Sequence, residues 1–149
     1  MTHAPDARPT VLVVEDEALV AMLVEHTLAG AGYRPVWSPD GRVALPCPEH
    51  GAAARVAVVD LHLADGPDGR RVIRRLRERN PFLPVLVVTG FYPRAPEADL
   101  RGLGGPTARL GKPFDCDEVL GRLAEVLGGP ATLAMPRRRA SDVPVLAGQ

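Results

Sequence analysis

Three short apolar runs, Val11 to Val14, Val56 to Val59 and Val85 to Val88, contain only valine, leucine and alanine. None alternates with polar residues. A strand built from such a run is buried on both faces, and that happens in a parallel sheet covered by helices. Two weaker strand candidates are Pro35 to Trp37 and Thr107 to Leu110. Helical patterns separate them. Glu17 to Ala31 places Val20, Leu23, Val24 and Leu28 on one face, with Gly30 and Gly32 as the stop. Gly69 to Arg79 turns Val72, Ile73 and Leu76 inward and a ridge of arginines outward. Asp115 to Leu127 opens on a capping-box pattern, Asp115 with Glu118, and buries Val119, Leu120, Leu123 and Leu127. Two connections are poorer: Pro46 and Pro48 cut short a helix starting near Asp40, and a helix around Glu97 to Leu103 is short and glycine-flanked. The order β-α-β-α-β-α-β-α-β remains legible. Right-handed crossovers make it an α/β fold with a five-stranded, parallel, doubly wound sheet.

At 149 residues the chain fits one domain with an ordinary core. Residues 1–9 and 130–149 are polar or proline-rich without a sustained period and read as flexible ends, leaving a domain over 10–129. Formal net charge is zero, which removes any global electrostatic case for nucleic acid or an anionic membrane. Cys47 and Cys116 have neither metal-ligand spacing nor a disulfide framework and fit reduced thiols. No apolar run approaches the ~20 residues of a membrane span, and the N-terminus lacks a signal-peptide core. The expectation is a soluble, cytoplasmic protein with no membrane association.

Each central strand ends in a reactive polar group. The first runs into Glu15 and Asp16, the third ends in Asp60, the fourth in Thr89, and the weak fifth leads into Lys112. Lys112 is the sole lysine among 18 lysines and arginines; its compact ammonium suits a tight anion site where a planar guanidinium does not. In a parallel sheet these carboxyl ends share one edge, where ligands bind at the topological switch point. In the strand order 2-1-3-4-5, strands one and three are neighbours, so Glu15, Asp16 and Asp60 form one acidic cluster. Such a cluster is costly without a cation, and its oxygen ligands suit Mg²⁺. Thr89 and Lys112 supply donors for an anion beside that metal, and Asp60 is placed as a nucleophile toward phosphorus.

Val13-Val14-Glu15-Asp16-Glu17, Val58-Val59-Asp60-Leu61, Val88-Thr89-Gly90 and Gly111-Lys112-Pro113-Phe114 resemble the receiver domain of two-component response regulators, from Thr10 to about Leu127. The resemblance implies a flavodoxin-like receiver fold and a phosphoprotein whose phosphoacceptor is Asp60. Glu15, Asp16, Asp60 and the backbone carbonyl of His62 would hold Mg²⁺. Thr89 would contact the phosphoryl group and shift on phosphorylation, Lys112 would pair with it, and the Lys112-Pro113 bond would be cis. It further implies a phosphorelay signalling domain rather than an enzyme, promoting only its own phosphorylation and dephosphorylation. The donor would be a histidine kinase or histidine phosphotransfer protein, and the output a contact with an unidentified protein target. The chain reads as a single-domain regulator without a DNA-binding domain. One departure concerns the switch: receivers usually carry an aromatic three positions before the lysine, where this chain has Arg109. Phe91 and Tyr92 instead follow Thr89-Gly90, in partial resemblance to the FATGUY subgroup, and are the candidate switch aromatics.

Other functions fit less well. A haloacid-dehalogenase-like phosphohydrolase needs a second acid two residues after the nucleophile, where His62 stands. A flavin- or nucleotide-binding module needs a phosphate cradle in the first loop, where Glu15-Asp16-Glu17 would repel phosphate. A degenerate, unphosphorylated receiver acting as an adaptor would not need all five site residues. His62 itself reads as a solvent-facing loop histidine, Cys116 as an unreactive thiol, and Arg70, Arg71, Arg74, Arg75, Arg77 and Arg79 as a solvated basic face.

Overall fold

The structure, a computed structural model, describes residues 7–41, 54–63, 68–90 and 99–128. In chain order the elements are β1 (Thr10–Val14), α1 (Ala18–Gly30), β2 (Arg34–Ser38), β3 (Val56–Asp60), α2 (Gly69–Arg79), β4 (Val85–Thr89), β5 (Thr107–Gly111) and α3 (Cys116–Val126). The strands form one five-stranded sheet of order β2-β1-β3-β4-β5, and every pairing is parallel. The three apolar runs became the three interior strands, each buried along its whole length. Among the described residues, the two weaker strands lie at the edges of the sheet.

Successive side chains of a strand point to opposite faces, and the core divides accordingly. Leu12, Val14, Ala57, Val59, Val85 and Val87 pack against Val72, Ile73 and Leu76 of α2. Val11, Val13, Val56, Val58, Leu86 and Val88 pack against Val24 and Leu28 of α1 and Val119, Leu123 and Val126 of α3. Each fully buried valine or leucine contributes about 1.5–3 kcal/mol of transfer free energy, so both faces of the sheet are held.

The helices begin as their capping residues dictate. Asp115 accepts the Glu118 N–H at 2.9 Å while the Glu118 carboxylate accepts the Asp115 N–H at 3.0 Å, completing the capping box. The Asp68 carboxylate accepts the Arg71 N–H at 3.0 Å at the start of α2.

Several expectations about side-chain placement or helix formation change; on α3, Leu120 and Leu127 are half-buried, and Val126 is buried with Val119 and Leu123. Leu23 is 38% exposed, and with Leu19 and Met22 it lies on the solvent side of α1, while Ala21, Val24, Thr27 and Leu28 face inward. The helix is apolar nearly all round, so its period did not single out a face; packing against the sheet and α3 decided it. Arg77 is buried rather than solvated. Its guanidinium donates to the carbonyls of Leu83, Leu103, Gly104 and Pro106, tying α2 to the segments that enter β4 and β5. Asp99 to Leu103 is not helical. Gly102, Gly104 and Gly105 have positive φ there, and the Gly105 backbone lies so close to Arg77 that a Cβ would sit 2.7 Å from its Nε. The expected helix near Asp40, Cys47, Phe91, Tyr92 and the terminal residues 1–6 and 129–149 lie outside the described residues. Pro9, expected in a flexible N-terminal segment, accepts the Arg34 N–H at 2.8 Å.

Candidate functional site

The site forms where β1, β3, β4 and β5 end. In the β1–β3 register Val14 pairs with Val59, so the next residues, Glu15 and Asp60, meet at the same height of the sheet edge. In the β4–β5 register Thr89 pairs with Gly111, and the Lys112 N–H then donates to the Thr89 carbonyl at 2.8 Å. This bond aims Lys112 back across the strand ends. The Lys112-Pro113 peptide bond is cis.

Glu15, Asp60 and Thr89 are buried, Asp16 and Lys112 half-buried, and His62 exposed. Carboxylate oxygens of Glu15, Asp16 and Asp60 lie within 4.8 Å of one another. The ammonium of Lys112 spans this cluster. It donates to Asp60 Oδ2 at 3.1 Å, contacts Glu15 Oε1 at 3.3 Å, and donates to Glu17 Oε1 at 2.9 Å. The other Asp60 oxygen, Oδ1, accepts the His62 N–H at 2.9 Å. Both oxygens of Asp60 are therefore oriented by donors.

The charges are strongly coupled. Burial first, then the negative charge of Asp60 and a hydrogen bond to it, push Glu15 up to about 7 from the usual 4.5, against the opposing pull of the Glu17 N–H and Lys112. For Lys112, burial works against the ammonium, but the hydrogen bond to Glu17 and the charges of Asp60 and Glu15 outweigh it and hold it above its ordinary range. A cluster that drives a carboxylate toward neutrality is short of positive charge. Oxygen-only donors, two of them buried and all close enough to share one ion, fit a hard cation such as Mg²⁺.

The surrounding chain fixes this geometry. The Trp37 indole N–H donates to the Glu15 carbonyl at 2.7 Å, and the Glu17 N–H donates to Glu15 Oε2 at 3.1 Å, so the turn after β1 is held from two sides. Gly69, the first residue of α2, packs onto the backbone of Asp60 and Leu61. Sequence reasoning missed the parts played by Trp37 and Gly69 and the reach of Glu17 to Lys112. Only the acidic run itself hinted at Glu17. Arg109 is half-buried in β5, paired in register with Val87.

The description "Response regulator receiver domain" matches residues 11–124. Among curated relatives, the probable transcriptional regulatory protein TcrX of Mycobacterium tuberculosis is 38% identical over 129 residues, covering 82% of this chain and 51% of TcrX. The virulence transcriptional regulatory protein PhoP of Salmonella typhimurium is 34% identical over 125 residues, covering 83% of this chain and 54% of PhoP. The chain thus spans about half the length of these relatives. Among solved structures, the Vibrio cholerae chemotaxis protein CheY4 matches with a TM-score of 0.68 and 31% identity, covering 80% of this chain and 99% of that one. A response regulator receiver protein from Sinorhizobium medicae matches with a TM-score of 0.67 and 26% identity, covering 83% of this chain and 97% of that one. With its strand order, buried acidic edge and lysine clamp, the chain belongs to the response regulator receiver domain family.

Proposed function

We propose that this domain receives a phosphoryl group on Asp60 in a Mg²⁺-dependent phosphorelay and passes the signal by protein–protein contact. The observation that carries the reading is the position of Asp60, buried among two further carboxylates with Lys112 Nζ 3.1 Å from its Oδ2. Glu15, Asp16, Asp60 and the His62 backbone carbonyl are the residues that would hold the cation. When bound, it supplies positive charge that offsets the carboxylates and the incoming phosphoryl oxygens.

The chain's own residues do the rest. An oxygen of Asp60 attacks phosphorus, the bond from phosphorus to the donor atom breaks, and the electron pair leaves with the donor. The His62 N–H keeps the carboxylate oriented during the attack. Lys112 neutralises charge on the transferring group, and the Thr89 hydroxyl, at the end of β4, donates to a phosphoryl oxygen. Thr89 is also the residue whose shift would reposition Phe91 or Tyr92 and bias a partner surface, since Arg109 occupies the usual aromatic position. The donor is a histidine kinase or histidine phosphotransfer protein, and the setting is cytoplasmic. No helix among the described residues is long and apolar enough to cross a membrane.

Intact mass after incubation with Mg²⁺ and acetyl phosphate tests the reading. The mass rises by one phosphoryl group in the wild type, and stays unchanged with chelator or in Asp60→Asn. Phosphorylation of Asp60→Asn to the wild-type extent overturns it.

A further inference from the structure

An ammonium has three N–H donors, and in this structure Lys112 has three carboxylate partners: Glu17, Asp60 and Glu15. The contact with Glu17 is the shortest of the three, at 2.9 Å. A phosphoryl group on Asp60 would bring further acceptor oxygens to a donor whose capacity is already filled. One partner must then be released. Asp60 itself carries the phosphoryl group, and the Glu15 side chain is only 4% exposed, so losing a positive partner costs it more than it costs an exposed carboxylate, even beside a cation. Glu17 is 62% exposed, so water replaces Lys112 around it at little cost.

The local chain leaves Glu17 free to do this. Its backbone is fixed, because its N–H donates to Glu15 Oε2 and its carbonyl accepts the Ala21 N–H at 2.9 Å. Its side chain makes no capping bond to α1, although Glu17 is the N-cap residue. Instead the side chain reaches a residue 95 positions away in the sequence.

We infer that Glu17 is a positioning residue for the phosphoryl-transfer site: it holds Lys112 in the unphosphorylated protein and gives it up when a phosphoryl group arrives. This rests on the reading of Asp60 as the phosphoacceptor. The ion pair with Glu17 stabilises only the unloaded state, and its charge opposes an anionic donor. Its removal therefore favours loading. Exposed ion pairs are weak and screened by salt, so the expected gain is about two- to fivefold at low ionic strength, shrinking toward none near 1 M salt.

Because Lys112 is the sole lysine, protein labelled with ¹³C at lysine Cε gives one such resonance. It is compared in wild type, Glu17→Gln and Asp60→Asn, free and with beryllofluoride at saturating Mg²⁺. Wild type and Glu17→Gln should differ when free and coincide when loaded, with Glu17→Gln binding beryllofluoride about two- to fivefold more tightly. A difference that persists in the loaded state, no difference in the free state, or equal affinity overturns the role of Glu17 while leaving Asp60 untouched. If the wild-type resonance does not respond to beryllofluoride and Asp60→Asn behaves identically, the reading of Asp60 falls and this inference with it.

Discussion

A Cβ on Gly69 would lie 2.3 Å from the carbonyl oxygen of Asp60 and 2.6 Å from the Cα of Leu61. Both atoms are backbone, so no side chain can swing aside to make room. The Gly69 N–H also donates to the Leu61 carbonyl at 3.0 Å. The first turn of α2 therefore rests directly on the backbone at the end of β3. Gly69→Ala should destabilise the fold by about 1–3 kcal/mol, the usual range for overpacking. It should also slow labelling of Asp60 by a small phosphodonor, because relief of the clash moves the Asp60 backbone. Denaturant melts and phosphorylation rates on the same protein check both parts; an unchanged midpoint with an unchanged rate contradicts the close approach.

Arg77 offers a second test, independent of the site. Its buried guanidinium donates to four backbone carbonyls, and burial pulls its pKa below the ordinary arginine range. Arg77→Met removes all of these donors and leaves buried carbonyls without them, so the cost is about 2–4 kcal/mol. Arg77→Lys should recover little, because a single ammonium cannot reach carbonyls arranged around a planar fork. Chemical denaturation of the two variants measures the difference, and full rescue by lysine would show that charge alone matters at this position.

These two residues also show where sequence reasoning stopped. The interior strands were legible because burial on both faces removes polar alternation. The site was legible because a parallel sheet gathers strand ends on one edge, so Glu15, Asp16, Asp60, Thr89 and Lys112 came together from order alone. Arg77 was not, because it is one of six arginines on α2 and lies at the margin of the apolar face. The only cue was phase: Arg77 lies four residues after the buried Ile73. Gly69 was hidden for another reason, since the need for a bare backbone arises only when α2 docks on β3. On α1, Leu19, Met22 and Leu23 were as apolar as their buried neighbours, and only packing decided which faced water.

The raised pKa of Glu15 predicts a pH dependence. Its folded value is about 7 and its ordinary value 4.5, so the folded protein binds this proton more tightly than the unfolded chain does. The stabilisation is fully present below about pH 4.5 and is lost as pH rises through 7. Cation binding has the opposite trend, because Mg²⁺ must displace the proton. Below about pH 7 its affinity should fall by up to about tenfold per pH unit and level off above. Calorimetric titration of Mg²⁺ against pH measures the slope, and Glu15→Gln should flatten it. A wild-type profile already flat between pH 5 and 8 would show that Glu15 stays ionised in the metal-free protein.

Lys112→Met separates the two jobs of the lysine. The ammonium neutralises Asp60 and Glu15 in the resting protein, and without it two nearly buried carboxylates face one another. Both lose the cation that favours their charged forms, so the variant should be least stable, relative to wild type, near neutral pH. Partial exposure of Lys112 limits the loss to about 1–3 kcal/mol, below the cost of breaking a fully buried pair. The deficit should shrink as pH falls through about 7, because Glu15, once protonated, no longer needs the ammonium. Mg²⁺ should also reduce it at pH 7, since a cation bound by the same carboxylates restores positive charge to the cluster. Phosphorylation should not recover in parallel: the cation offsets the resting charge, yet the transferring group still lacks the donor that Lys112 supplies. Melting temperatures at pH 5 and pH 7, with and without Mg²⁺, read the electrostatic job, and phosphorylation rate at saturating Mg²⁺ reads the other. Equal recovery of both with Mg²⁺ would reduce Lys112 to a counter-ion.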